Sequence, residues 1–202
     1  TKGKSGATVM MLTDYVLKIE DYGTEGVREC GISSWLEGKL RVPSTIEIVE
    51  ENGKIYRLME RLKGKDLSSP CFLYNPSLLI DVCGKAYEAL SSVDISTCPF
   101  TRNIDVCLEE AEERVENGKV DLDDVDPQTF GKGGFASPEA LLMWLMDNKI
   151  EEEPAFMHGD LCLPNIFLLD DGDIAFIDLG RSGVGDRAND VALLSRSIKS
   201  NF

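Results

Sequence analysis

At 202 residues the chain can form one large domain or two small lobes around a real core, and its 43% apolar and 28% charged content is ordinary for a globular protein. No apolar run nears the roughly 18–20 residues a membrane span needs, so no membrane role is expected. The formal charge of −15 argues against nucleic acid as a partner, because binding a phosphate backbone needs a basic footprint. That charge is uneven: residues 1–60 carry 8 basic and 10 acidic side chains, residues 61–202 carry 13 and 26. An acidic half either concentrates a cationic substrate or is a solvated face; charge alone leaves both open. Six cysteines stand at 30, 71, 83, 98, 107 and 162 without a Cys-x-x-Cys pair, and the single histidine, His158, offers no metal cluster. Scattered thiols fit a reducing cytosol, each read first as a small buried hydrophobe. The chain opens on Thr rather than Met and carries no signal-peptide pattern there.

In chain order, Gly3-Lys4-Ser5-Gly6-Ala7-Thr8 invites a phosphate-loop reading, but the upstream glycine and strand of a Walker motif are missing. The apolar runs 7–12 and 15–19, broken at Thr13-Asp14, predict a hairpin instead. Lys18 lies inside the apolar run YVLKI and needs a partner. The next segment, 25–40, predicts a helix with Val27, Ile32, Trp35, Leu36 and Leu40 sharing one face, and it offers Glu29 and Glu25. Runs 46–49 and 55–59 flank Asn52-Gly53, a strong hairpin signal. Residues 59–63 then lead to Gly64.

Beyond that point the pattern turns helical. Asn75-Pro76 caps a helix to about Ser91 with Leu79, Val82, Ala86 and Leu90 inward. A second helix spans 103–117 with Ile104, Leu108, Ala111 and Val115 inward and Gly118 as the stop. Residues 126–136 read as a loop. Ser137-Pro138-Glu139 starts a third helix to about Asn148, whose Met/Leu/Trp stripe reads as core. A last helix, 186–198, places Val191, Leu194 and Ile198 inward and directs Asp190 back to the preceding loop.

The stretch HGDLCLPNIFLLDDGDIAFIDLG, starting at His158, carries the chemistry. Its apolar runs Ile166–Leu169 and 174–177 flank Asp170-Asp171-Gly172-Asp173, so they predict a hairpin that returns Asp178 beside Asn165. Magnesium takes oxygen ligands and keeps several waters, so one carboxylate and one amide suffice when nucleotide phosphates complete its shell. Asn165 and Asp178 are the expected metal ligands, and Asp160 the base that receives the proton of an attacking hydroxyl.

His-x-Asp-x4-Asn followed by Ile-Asp-Leu-Gly resembles the signature pair of kinase-like small-molecule phosphotransferases. HGDLCLPNIF and FIDLGRSGVGDRAND are most similar to the aminoglycoside 3′-phosphotransferases, and WLEGKLRVP and LSSVDISTCPF extend the resemblance from Gly3 to Ile198. The resemblance implies an α+β, two-lobe protein-kinase-like fold. Its β-rich N-terminal nucleotide-binding lobe would span 1–60 and its hinge 61–64. A mainly helical C-terminal lobe, 65–202, would carry the catalytic hairpin and end before the family's last helices. It also implies that Ser5 lies in a turn over the phosphates, that Lys18 grips them while paired with Glu29, and that backbone groups of Glu60 and Leu62 read the adenine edge. The implied reaction moves the γ-phosphoryl of ATP, with GTP as the other candidate, to a hydroxyl of a cationic aminoglycoside in the cytoplasm, giving antibiotic resistance. The chain departs from the family at Val16 and Ala188, which replace aromatics. It departs also around Gln128 and at Leu163, where drug-binding acids are expected. Another small-molecule kinase of the superfamily, acting on an amino alcohol or sugar, or an idle truncated nucleotide-binding module, are the alternatives.

Overall fold

Alternating side chains in the first sixty residues produce an antiparallel sheet with one covered face. The computed structural model describes residues 7–123, 125–126 and 128–201. Strands β1 (Thr8–Met11) and β2 (Tyr15–Asp21) form one hairpin, β3 (Thr45–Glu51) and β4 (Lys54–Glu60) another, and the sheet order is β1-β2-β4-β3. Asn52 and Gly53 have φ of 51° and 71°, the left-handed pair that a two-residue hairpin turn demands. Along β4 the side chains of Ile55, Arg57 and Met59 are buried and their neighbours are not.

Helix α1 (Thr24–Trp35) lies against that face and stops earlier than its sequence pattern suggests. Leu36 caps it, Gly38 turns the chain at φ 75°, and the backbone continues as a turn. Gly26, Glu29, Ile32 and Ser33 are its buried residues, and the capping Leu36 is buried next in line. Val27 falls outside that set and is exposed, which corrects the expectation that it faces the core.

The C-terminal part is built around α3 (Pro76–Ser91), capped by the Asn75 side chain on the Leu78 amide. Its Leu79, Val82, Ala86 and Leu90 pack with Phe156, Leu161, Leu163, Ile166 and Phe176 in the main core. Preceding it are β5 (Gly64–Asp66) and the single turn α2 (Pro70–Leu73), neither of which is legible as a pattern. Two further helices, α4 (Ile104–Glu116) and α5 (Pro138–Asp147), pack on each other. The α5 stripe is only partly core. Leu142 is buried, but Met143 and Trp144 are exposed, with the Trp144 ring 5.6 Å from that of Phe135. The helix is covered chiefly by α4, so a single face is protected.

Strand β6 (Pro154–Met157) leads into the loop that carries Asp160 and Asn165. The hairpin follows as β7 (Ile166–Leu169) and β8 (Ile174–Phe176), joined by β5 in a three-stranded sheet of order β5-β7-β8. A Cβ at Gly64 would lie 2.4 Å from the Leu168 carbonyl oxygen, so only glycine permits the β5 contact. Strand β9 (Gly183–Asp186) pairs antiparallel with β6, and α6 (Ala188–Asn201) completes the described chain. In α6, Leu194 and Ile198 meet the core as expected, while Val191 is exposed because Asp190 occupies the inward position beside it. Cys83 alone among the six thiols is buried; Cys71 is exposed and the others are half-buried, so the expectation of uniformly buried cysteines fails.

Candidate active site

Lys18 stands on β2 because period-2 alternation turns it toward α1, one turn into which Glu29 is buried. Its Nζ donates to Glu29 Oε2 at 2.6 Å. The same ammonium lies 3.2 Å from Asp178 Oδ1 and 3.5 Å from Glu20. Burial by itself lowers a lysine pKa, but the carboxylates of Glu29, Asp178 and Glu20 outweigh it and hold Lys18 above the ordinary lysine value. Glu29 is the buried member. Burial pushes its carboxyl up, yet Arg57 and Lys18 together hold it below the usual glutamate range. The alternative partner for Lys18 is otherwise engaged, since Glu25 accepts from Arg181 Nε at 3.2 Å.

Arg57 is the residue that sequence reasoning missed. Its Nη2 donates to Glu29 Oε1 at 2.5 Å and its Nη1 to Ser33 Oγ at 3.3 Å, so Glu29 is divided between two cations. The signal was present: Arg57 stands on the apolar side of β4, as Lys18 stands in β2, and the same question of a partner applies.

The loop between β6 and β7 is held from behind. Asp190 accepts from the amides of His158 at 2.6 Å and Gly159 at 2.9 Å. Its burial raises its pKa above the ordinary aspartate value despite His158 and those amides. His158 is fully buried, its Nε2 lies 2.9 Å from the Ile177 carbonyl oxygen, and its carbonyl accepts from Ser182 Oγ. Ser197 of α6, also unforeseen, accepts the Leu163 amide at 3.0 Å. Gly159 has φ 77°, and a Cβ there would meet the Arg181 carbonyl at 2.1 Å, so the loop and the segment after Asp178 touch backbone to backbone.

Within this frame Asn165 donates Nδ2–H to the Asp160 carbonyl at 2.9 Å and to Asp160 Oδ2 at 3.3 Å. The hairpin ties Asn165 to the second half of the site, as the Ile177 amide donates to the Asn165 carbonyl at 3.1 Å. The next residue, Asp178, has φ 62°, a left-handed conformation unusual for a side-chain-bearing residue. Its side chain is about half exposed, at 48%.

A cavity of about 250 Å³ opens between the sheet and the hairpin. Lys18, Glu29 and Asp178 line one end; Val16, Glu60 and Leu62 line the other. Glu60 itself points its carboxylate to Arg41 at 2.5 Å and donates its amide to the Ser44 carbonyl, so both groups are already engaged. Lys18, Glu29 and Asp178 thus meet directly, and Asp160 and Asn165 meet each other beside them but outside the cavity lining. Ser5 lies outside the described residues. The oxygen donors fit a hard cation. The Asn165 NH₂ is spent on Asp160, which leaves its amide oxygen as the group to offer a cation, and Asp178 adds a half-exposed carboxylate.

The profile of the phosphotransferase enzyme family matches residues 1–202. An aminoglycoside 3′-phosphotransferase of Enterococcus faecalis is 35% identical over 202 residues, covering 99% of this chain and 75% of the relative. The enzyme of the same name from Campylobacter jejuni is 34% identical, over 93% of this chain and 74% of its own. Among solved structures, an aminoglycoside 3′-phosphotransferase of type VIII superposes with a TM-score of 0.80 at 29% identity, covering 98% of this chain and 75% of that one. A lysine–glutamate pair facing an Asp-Leu-Gly turn, a hairpin away from Asp160 and Asn165, sits in a fold shared with these proteins along nearly its whole length; the chain belongs to the phosphotransferase enzyme family.

Proposed function

We propose that this chain transfers the γ-phosphoryl group of ATP to a hydroxyl of an aminoglycoside, and thereby confers resistance to it. The 3′-hydroxyl is the favoured acceptor, following the names of the relatives that are about one third identical. The observation that carries the reading is the ion-paired Lys18 beside Asp178 at the end of the cavity between the sheet and the hairpin.

The residues divide the work. The backbone of Glu60 and Leu62 reads the base edge, and Lys18, positioned by Glu29, neutralises the phosphates. Asn165 and Asp178 would hold magnesium, which when bound lowers the charge on the phosphate oxygens. Asp160 accepts the acceptor hydroxyl's proton as its oxygen bonds to the γ-phosphorus and the bond to ADP breaks. Asn165 Nδ2 fixes the rotamer of Asp160, and His158, Asp190 and Ser197 keep the loop in place. In this reading residues 1–60 form the nucleotide-binding lobe, 61–64 the hinge and 65–202 the catalytic lobe. The cytoplasm, with its ATP and magnesium, is the matching compartment. GTP remains the competing nucleotide because the base is read by backbone groups.

The test is phosphorylation by purified protein with magnesium and ATP, comparing aminoglycosides with 3′-deoxy analogues. Product from the former and none from the latter is expected. Turnover on amino alcohols or simple sugars alone would redirect the reading to another small-molecule kinase. Stabilisation by magnesium-ATP without any turnover would leave a nucleotide-binding module.

A further inference from the structure

A second cavity, of about 300 Å³, lies outside the proposed reaction site, between α1, the segment after Asp178 and α4. Its lining runs against the character of the molecule. In a chain of net charge −15 it gathers five cations, Arg28, Arg102, Arg114, Lys119 and Arg181, against the three carboxylates Glu25, Glu110 and Glu113. Two of the carboxylates are already engaged, Glu25 with Arg181 and Glu110 with Arg102. That leaves Arg28, Arg114 and Lys119 in a lining with one remaining carboxylate, Glu113.

The innermost pair is the most telling. Arg28 and Arg102 converge on Gly183: a Cβ there would lie 3.0 Å from Arg28 Nη2 and 2.9 Å from Arg102 Cγ. The Nε atoms of both are buried and have no hydrogen-bond partner among the described residues. Arg28 donates from Nη2 to the carbonyls of Ser182 at 2.9 Å and Thr101 at 3.0 Å, while its plane lies over Phe100 at 5.4 Å. Burial, then the neighbouring Arg102 charge, depress its pKa below the ordinary arginine value. Of these two neighbouring guanidiniums only Arg102 has a carboxylate partner, so their like charges cost free energy that a further anion would offset. Guanidinium forks match the oxygens of a phosphoryl group, and lysine adds a point charge.

We propose that this cavity is a binding site for a small phosphate-class oxyanion, held by Arg28, Arg102, Arg114 and Lys119. An anion there would tie α4 to α1 and to the segment after Asp178, elements that Arg28 already bridges through Ser182 and that carry Glu29 and Asp178. The site would therefore stiffen the frame of Lys18 without touching it.

The test is thermal unfolding of the whole chain with inorganic phosphate, with a sugar phosphate monoester, and with chloride at matched ionic strength, in the parent and in the Arg114→Ala/Lys119→Ala double variant. Both substituted residues are exposed, so the core is spared. We expect phosphate to raise the parent midpoint above chloride, and the double variant to need at least about 10-fold more phosphate for the same shift, as the loss of a charged hydrogen bond predicts. Stabilisation by magnesium-ATP should be equal in the two proteins, which separates this cavity from the nucleotide site. A response to the monoester alone assigns the site to a phosphorylated small molecule; a response to both assigns it to free phosphate. No gain over chloride, or an equal phosphate gain in parent and variant, overturns the proposal.

Discussion

Glu29 is the residue on which the first cavity turns, because each of its oxygens holds a different cation. Removing Arg57 strands a buried carboxylate, so Arg57→Ala should destabilise the fold by about 3–5 kcal/mol, read as a lower urea midpoint. The pH dependence follows from the direction of the Glu29 shift. Its folded pKa lies below its unfolded one, so its contribution is whole above the ordinary glutamate value of 4.5 and is lost as pH falls beneath it. Asp190 has the opposite sign: its raised folded pKa makes stability fall as pH climbs past 3.8, which shallows the acid limb. Urea midpoints measured down to acid pH should show a flatter decline in Glu29→Gln than in the parent. Asp160 makes a different claim. Asp160→Ala should cut turnover by about 100- to 10,000-fold, the range for a lost general base, with nucleotide affinity nearly unchanged; equal losses in both would remove it from that role.

At the scale of elements, the hairpins and α3 were legible because each carries its own local signal. Asn52-Gly53 and Asp171-Gly172 supply turn chemistry, and Asn75-Pro76 supplies a cap. Gly53→Ala should therefore cost about 1 kcal/mol through its left-handed φ, seen as a small drop in midpoint with activity retained. Strands β5 and β9 were not legible. Gly64-Lys65-Asp66 has no apolar residue, and Gly183-Val184-Gly185-Asp186 has one; they are strands only because β7 and β6 offer hydrogen-bonding edges. The same limit explains Val27 and Val191, whose hydrophobicity suggested an inward face that tertiary packing gives to Glu29 and Asp190. In the site, Lys18 stood out because a charge inside an apolar run demands a partner, Glu29 as a candidate partner on the next helix, and the hairpin residues because an Asp-Gly turn returns Asp178 beside Asn165. Ser197 gave no such signal. A serine in a surface helix acquires a role only when the fold brings it under the Leu163 amide.

The molecule as a whole is an acidic body with its excess charge in residues 61–202. If a polycationic acceptor is drawn in by that field, its KM should rise steeply with ionic strength while turnover at saturation holds, because mobile ions screen charges beyond about 8–10 Å. A KM indifferent to salt would leave the acidity as a solvated surface and nothing more.

The contact between Lys18 and Asp178 has a consequence for the order of events. With the roles proposed for them, the carboxylate that must grasp a divalent ion is already neutralised by the ammonium that must grasp the phosphates. One Asp178 oxygen already faces that ammonium, so a metal–phosphate chelate, which brings an anion to Lys18 and a cation to Asp178 together, should bind better than the bare ion.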